Sequence, residues 1–232
     1  MEVHDVGASG FCIMDPRTLS NRAFQGVVNA ATETQRGWFS FVPDLHASDP
    51  IAQVRAARDI GCRAITFHSY LQQIGEDAYA LVADISQSAD ELGMFVGLST
   101  AYGSRDLFRF QSLPLAVRIL DRVSCPVILY HAGGARLLEA LLIAEMWENV
   151  FLETSFSMSY WMGSSIESDL HFVLKKIGAS RIMFGSDAPF VPLAKAIDDH
   201  SRFFEKYKLD GQEIADVMGS TCIRALQLWD RR

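Results

Sequence analysis

The chain has 232 residues, 49% of them hydrophobic, which is enough to bury a large core. Lys and Arg total 21 against 28 Asp and Glu, a formal net charge of −7 with the basic residues scattered, and this argues against a nucleic-acid-binding face. No uninterrupted apolar stretch approaches ~18 residues and the opening MEVHDVG has neither a basic nor an apolar signal region, so a cytoplasmic protein without membrane contact is expected.

Taken in order, the predicted strands are GFCIM (10–14), GWFSFV (37–42), RAITF (63–67), MFVGL (94–98), PVILY (126–130), VFLET (150–154) and RIMFG (181–185). Most are apolar throughout rather than alternating, the pattern of parallel strands covered on both faces. Amphipathic segments of helical period separate them: DPIAQVRAARDIG, DAYALVADISQSADELG, PLAVRILDRVS and SSIESDLHFVLKKIG. Several end in glycine, and Asp49-Pro50 and Ser112-Leu113-Pro114 read as helix starts. LLEALLIAEMW (137–147) is apolar enough for a packed helix or one facing another subunit of a homo-oligomer, with burial inside the domain the simpler reading. The cysteines at 12, 62, 125 and 222 form no CxxC pair and are expected to be buried free thiols.

Nothing divides the sequence, so residues 1–232 are read as one α/β domain. Seven βα units imply a parallel sheet, either a TIM-type (β/α) barrel or an open doubly wound sheet. GASG (7–10) precedes its strand and does not match GxGxxG, which favours the barrel, incomplete with seven recognisable units.

Polar residues recur where the strands end: Asp44 and His46, His68, Ser99, His131, Glu153 and Asp187. In a parallel barrel these positions converge on one mouth. His46 reads as a loop hydrogen-bonding residue, Glu153 as the partner of a lysine across the sheet, and Ser99 needs no role. His131 stands apart because Ala-Gly-Gly follows it, letting backbone N–H groups approach a ligand. Asp187 stands apart because Gly185, Ser186 and Pro189 restrict its turn.

A carboxylate and an imidazole at one mouth can share a divalent ion that activates water, or act without metal as base and acid. No close-spaced ligand pair and no GxSxG elbow is present, so a serine-nucleophile hydrolase lacks support. His68, Tyr70, Ser99, Arg105 and Ser186 are candidate contacts for a small polar or carboxylated substrate, with Arg105 suited to clamp a carboxylate.

PVILYHAGG followed by RIMFGSDAPF resembles the amidohydrolase-related family of metal-dependent TIM-barrel hydrolases and decarboxylases, and the resemblance covers nearly the whole chain. GWFSFVPDLHASDPIAQVRAARDIGCRAITFHSY resembles the family's strand 3, helix and strand 4, and EIADVMGSTCIRAL its closing helix. The resemblance implies a divalent-metal site, with zinc the first choice, in which Asp187 is the strand-8 ligand and base or proton relay. His131 would be the strand-6 histidine that binds metal or polarises substrate.

Several family features are not matched. The first strand with its His-x-His has no counterpart, and His4 falls on the helical part of the match. Ser99 stands where the strand-5 ligand histidine would, and Thr66 where binuclear relatives carry a bridging lysine. Three accounts follow: a start upstream of Met1, closure by seven strands or by a partner subunit, or a degenerate member that has lost the metal reaction, which Ser99 favours. The functional expectation is an amidohydrolase-type hydrolase or decarboxylase, with metal weak or absent. Its alternatives are a non-catalytic binding or regulatory member of the fold and an unrelated open α/β binding protein.

Overall fold

The computed structural model describes residues 9–33 and 37–230, so His4 and the opening MEVHDVG lie outside the described residues. The chain forms two compact units. The first runs to Leu98 and adds Phe108–Cys125; the second comprises Ser99–Leu107 and the chain from Pro126 onward.

In the first unit, β1 (Ser9–Ile13), α1 (Arg22–Glu33), β2 (Gly37–Phe41), α2 (Pro50–Asp59), β3 (Ala64–His68), α3 (Tyr79–Glu91) and β4 (Phe95–Ser99, all but its last residue) follow one another, and α4 (Ser112–Leu120) completes it. The strands lie in sequence order, with β1–β2 and β2–β3 parallel. Phe41, Ala64, Ile65 and Phe67 are fully buried, as uninterrupted apolar runs require. The Ser40 and Thr66 hydroxyls bond each other between β2 and β3. The expected start of α2 is present: the Asp49 side chain accepts from the Ala52 N–H at 2.9 Å, and Pro50 opens the helix.

In the second unit, β5 (Val127–Tyr130), β6 (Val150–Glu153) and β7 (Ile182–Met183) are parallel neighbours. Between and after them come α5 (Leu137–Met146), α6 (Ser157–Trp161), α7 (Ser165–Ile177), α8 (Leu193–Tyr207), α9 (Gly211–Ala215) and α10 (Thr221–Asp230). The expected single closing helix is instead broken by a π-helical turn over 216–220. Helix α5 buries Leu137, Ala140, Leu141, Ile143 and Ala144 but exposes Leu138, Leu142 and Met146. Arg181, just before β7, holds the chain end of α5 and the start of β6, donating to the carbonyls of Ala144, Trp147 and Val150.

All four cysteines are free thiols. Cys62 and Cys125 are buried as expected, whereas Cys12 is exposed because β1 leaves Gly10, Phe11 and Cys12 uncovered among the described residues. Among the described residues no helix is long and apolar enough to cross a membrane.

Candidate active site

The second unit gathers polar groups at the C-terminal ends of its strands. His131 follows β5 directly, Glu153 is the last residue of β6, and Asp187 lies four residues past β7. The β5–β6 register pairs Tyr130 with Glu153, which sets the carboxyl of Glu153 beside the His131 backbone.

The backbone around these groups is unusual. His131 (φ 66°), Ala132 (φ 51°), Phe156 (φ 56°) and Asp187 (φ 61°) are non-glycine residues in the left-handed region. Such conformations cost on the order of 1–3 kcal/mol each and persist where the surroundings enforce them. Here the enforcement is visible. The Thr100 hydroxyl donates to the Tyr130 carbonyl at 2.5 Å and accepts from the Gly133 N–H at 2.7 Å, while the Ser157 hydroxyl donates to the His131 carbonyl at 2.6 Å. Gly134 is needed because a Cβ there would stand 2.3 Å from the Tyr102 ring. Two hydrogen bonds from Phe190 and Val191 to the Asp187 carbonyl hold the other turn.

His131 is buried, and its Nδ1 lies 3.0 Å from the Ser155 carbonyl and 3.1 Å from Ser155 Oγ. Glu153 is also buried. It accepts from Ser155 N–H (2.9 Å), Ser155 Oγ–H (2.6 Å) and the His131 N–H (3.4 Å). The lysine partner expected for Glu153 is not what it has: its described partners are Ser155 and His131, because the turn after β6 folds Ser155 back over the carboxyl. Burial raises the Glu153 carboxyl above its ordinary range, against the opposing pull of His131 and the Ser155 bonds.

The Asp187 carboxyl is half-buried and makes no hydrogen bond among the described residues. Burial raises its pKa, and the electrostatic pull of His131 opposes that rise in part. The phenol of Tyr102 also senses Asp187. Burial first, and the neighbouring Tyr160 and Asp187 charges after it, push this group up to about 12 despite a bond to Ser157. Phe156, Tyr160 and Trp161 surround the Tyr102 ring at centroid distances of 5.2–5.5 Å.

Of the other expected site residues, Ser99 is buried and its hydroxyl accepts from the Ala101 N–H. Ser186 Oγ accepts from the Ala188 N–H, and Arg105 is exposed. These three belong to the second unit. His68 and Tyr70 belong to the first, where their rings meet edge to face at 4.4 Å. His46 is exposed there, its N–H bonded to Asp44. Sequence reasoning passed over Tyr102 and Ser155. The former lies three residues past β4, the same kind of position as Tyr70 past β3, and that was the signal available.

As metal donors, the pair offers one imidazole nitrogen and one carboxylate. No group of three or more His, Cys, Asp or Glu side chains able to hold an ion occurs among the described residues. A zinc centre built from three protein ligands therefore does not fit the described residues.

Comparison with solved structures places this architecture. A TIM-barrel protein from Bordetella bronchiseptica is similar at 16% identity, covering 88% of this chain and 72% of its own, with a TM-score of 0.65. A Pseudomonas putida protein assigned as a 2-pyrone-4,6-dicarboxylic acid hydrolase is 16% identical, with 90% and 78% covered and a TM-score of 0.62. A dihydroxybenzoic acid decarboxylase from a Polaromonas species, solved with bound manganese and the inhibitor 2-nitroresorcinol, is 15% identical, with 94% and 78% covered and a TM-score of 0.59. The fold is thus of the TIM-type (β/α) barrel class, with seven βα strands among the described residues. No curated protein matches the chain. The sequence profile of the amidohydrolases matches residues 14–228, and the chain, with its His-Ala-Gly-Gly and Gly-Ser-Asp-Ala-Pro turns inside that span, belongs to the amidohydrolase family.

Proposed function

We propose that this protein is a cytoplasmic amidohydrolase-type enzyme that hydrolyses or decarboxylates a small carboxylated molecule. The observation that carries the reading is the pairing of His131 with a half-buried Asp187 carboxyl that has no hydrogen bond of its own among the described residues. A carboxyl in that condition holds its proton more readily than an exposed one, which suits it to proton transfer with a substrate. In decarboxylation the bond to the departing carboxylate breaks, CO2 leaves, and the electron pair left on carbon takes the proton of Asp187. In hydrolysis the Asp187 carboxylate takes a proton from water as the water oxygen bonds to the substrate carbonyl carbon and the C=O π pair moves onto oxygen. Return of that pair breaks the bond to the leaving atom, which takes the proton from Asp187.

His131 polarises the substrate oxygen on which charge builds. Tyr102, kept neutral by its raised pKa, donates its O–H to Ser157 Oγ, whose own proton goes to the His131 carbonyl, and so supports the turn that carries His131. Arg105, Ser99 and Ser186 are the further candidate contacts within the same unit, and Arg105 supplies the only full positive charge among them. Relatives named for dihydroxybenzoate and for 2-pyrone-4,6-dicarboxylate support carboxylated rings as the substrate class. A manganese-bound relative supports assaying with a divalent ion present.

The test is turnover of 2,6-dihydroxybenzoate and 2-pyrone-4,6-dicarboxylate by the purified protein, with and without added Mn²⁺ or Zn²⁺. Product would be followed by CO2 release and ring absorbance. Turnover that falls by ~100-fold or more in Asp187→Asn is the expected result. Saturable binding without turnover would instead make the protein a binding member of the fold. Turnover indifferent to Asp187→Asn would remove Asp187 from the chemistry.

A further inference from the structure

Glu153 is a buried carboxylate whose described partners include no lysine or arginine, and each of its contacts has a definite direction. Its Oε1 accepts from the Ser155 N–H at 2.9 Å. Its Oε2 accepts from the Ser155 hydroxyl at 2.6 Å and from the His131 N–H at 3.4 Å. A hydroxyl has one proton, and here it is committed to Glu153. What Ser155 Oγ turns toward His131 Nδ1, 3.1 Å away, is therefore a lone pair. The Ser155 carbonyl, 3.0 Å from the same nitrogen, is also only an acceptor. Nδ1 thus faces two acceptors and must carry a proton. In the neutral ring the bare nitrogen is then Nε2.

We propose that Glu153 is a positioning residue that acts through the Ser155 hydroxyl to fix His131 as the Nδ1–H tautomer, leaving Nε2 as the lone pair the site can use. The inference rests on the reading of His131 as a working group of the site and deepens it. Which ring nitrogen is available is decided by the bond the other one makes. Gly185 completes the arrangement, because any side chain there would occupy the space of Glu153 Oε1.

Glu153→Gln is nearly isosteric and reverses one polarity. With the amide nitrogen in the Oε2 position, the Ser155 hydroxyl becomes an acceptor on that side and its proton turns toward Nδ1. The alternative orientation sets amide N–H against the Ser155 N–H. Either way the preference for Nδ1–H weakens.

The experiment is two-bond ¹H–¹⁵N correlation of the imidazoles in protein labelled at its 6 histidines, at alkaline pH, with His131 assigned by its loss in His131→Gln. The parent should show His131 as Nδ1–H. Glu153→Gln should change the tautomer ratio by roughly fivefold toward Nε2–H, the effect of exchanging one hydrogen bond. Ser155→Ala, which cuts the link without touching Glu153, should move it in the same direction. An Nε2–H ring in the parent overturns the proposal, as does an unchanged Nδ1–H pattern in a folded Glu153→Gln. Should that variant not fold, an unchanged pattern in Ser155→Ala overturns it, since the carbonyl alone would then suffice. No substrate enters this measurement, so failure to find turnover would sink the proposed activity and leave the tautomer result standing.

Discussion

Gly185→Ala is the sharpest stability test of the site. A Cβ at this position would stand 1.3 Å from Glu153 Oε1, 2.5 Å from its Cδ and 2.9 Å from Ser155 Cβ. Gly185 is not among the residues of positive φ, so the cost is steric contact and not backbone conformation. The carboxyl cannot swing aside cheaply, because three donors hold it in a buried position. Forcing a methyl group into packed space costs about 1–3 kcal/mol. Losing bonds to a buried charged acceptor adds about 1.5–3 kcal/mol. Together these give roughly 2.5–6 kcal/mol, which at about 2–4 °C per kcal/mol for a chain of this size lowers Tm by roughly 5–24 °C. Scanning calorimetry and urea unfolding of Gly185→Ala measure it. Gly163→Ala is the control: its φ of 80° carries left-handed strain, but nothing lies within 4 Å of its Cβ. It should lose only ~1–2 kcal/mol. A Gly185→Ala protein as stable as the control would refute the placement of Glu153 against this glycine.

Three further outcomes follow from other parts of the structure. His200 is buried, with Nδ1 bonded to the Ala196 carbonyl and Nε2 to Thr154 Oγ, and burial lowers its pKa from 6.5 to about 4. The unfolded chain therefore takes up this proton first, so stability is intact above pH 6.5, falls as pH drops through the window, and is fully lost below about 4. Between pH 7 and 5 this amounts to roughly 2 kcal/mol, measurable as a shift in urea midpoint that His200→Gln should remove. Gly26 lies inside α1 with nothing within 4 Å of an added Cβ, so Gly26→Ala should stabilise by about 0.5–1 kcal/mol in the same assay. Arg181→Lys should cost roughly 2–3 kcal/mol, because one ammonium cannot reproduce the three carbonyl bonds of 2.6, 2.8 and 2.9 Å made by the guanidinium; an unchanged midpoint would remove Arg181 as the tie between α5 and β6.

Much of the fold was legible in the chain. Each of the seven apolar runs overlaps an observed strand, three of them displaced by one residue, and the helices at 50–59, 79–91, 112–120 and 165–177 lie where the amphipathic segments stand. Helix α1 was not legible: no start was expected before Arg22–Glu33, although Asn21 Oδ1 accepts from the Ala23 and Phe24 N–H groups there. Nor was α8, whose entry lies in the turn after Asp187. The break in the closing segment was also hidden, since EIADVMGSTCIRAL has helical composition on both sides of the π turn.

The site divides along the same line. His131 and Asp187 could be picked out because strand ends, small following residues and turn formers are local properties of the chain. Glu153 could not be given its partner, since that depends on the β5–β6 register and on Phe156 entering the left-handed region, neither of which neighbouring residues dictate. Tyr102 and Ser155 come to matter through groups more than twenty positions away in the chain, Gly134 against the Tyr102 ring and His131 beside Ser155. Hydrophobic patterning is written residue by residue and so determined the strands and their parallel order, while the family was legible in the short PVILYHAGG and RIMFGSDAPF stretches. Which polar atom faces which depends on distances between segments joined only by folding, and the tertiary structure alone decided that.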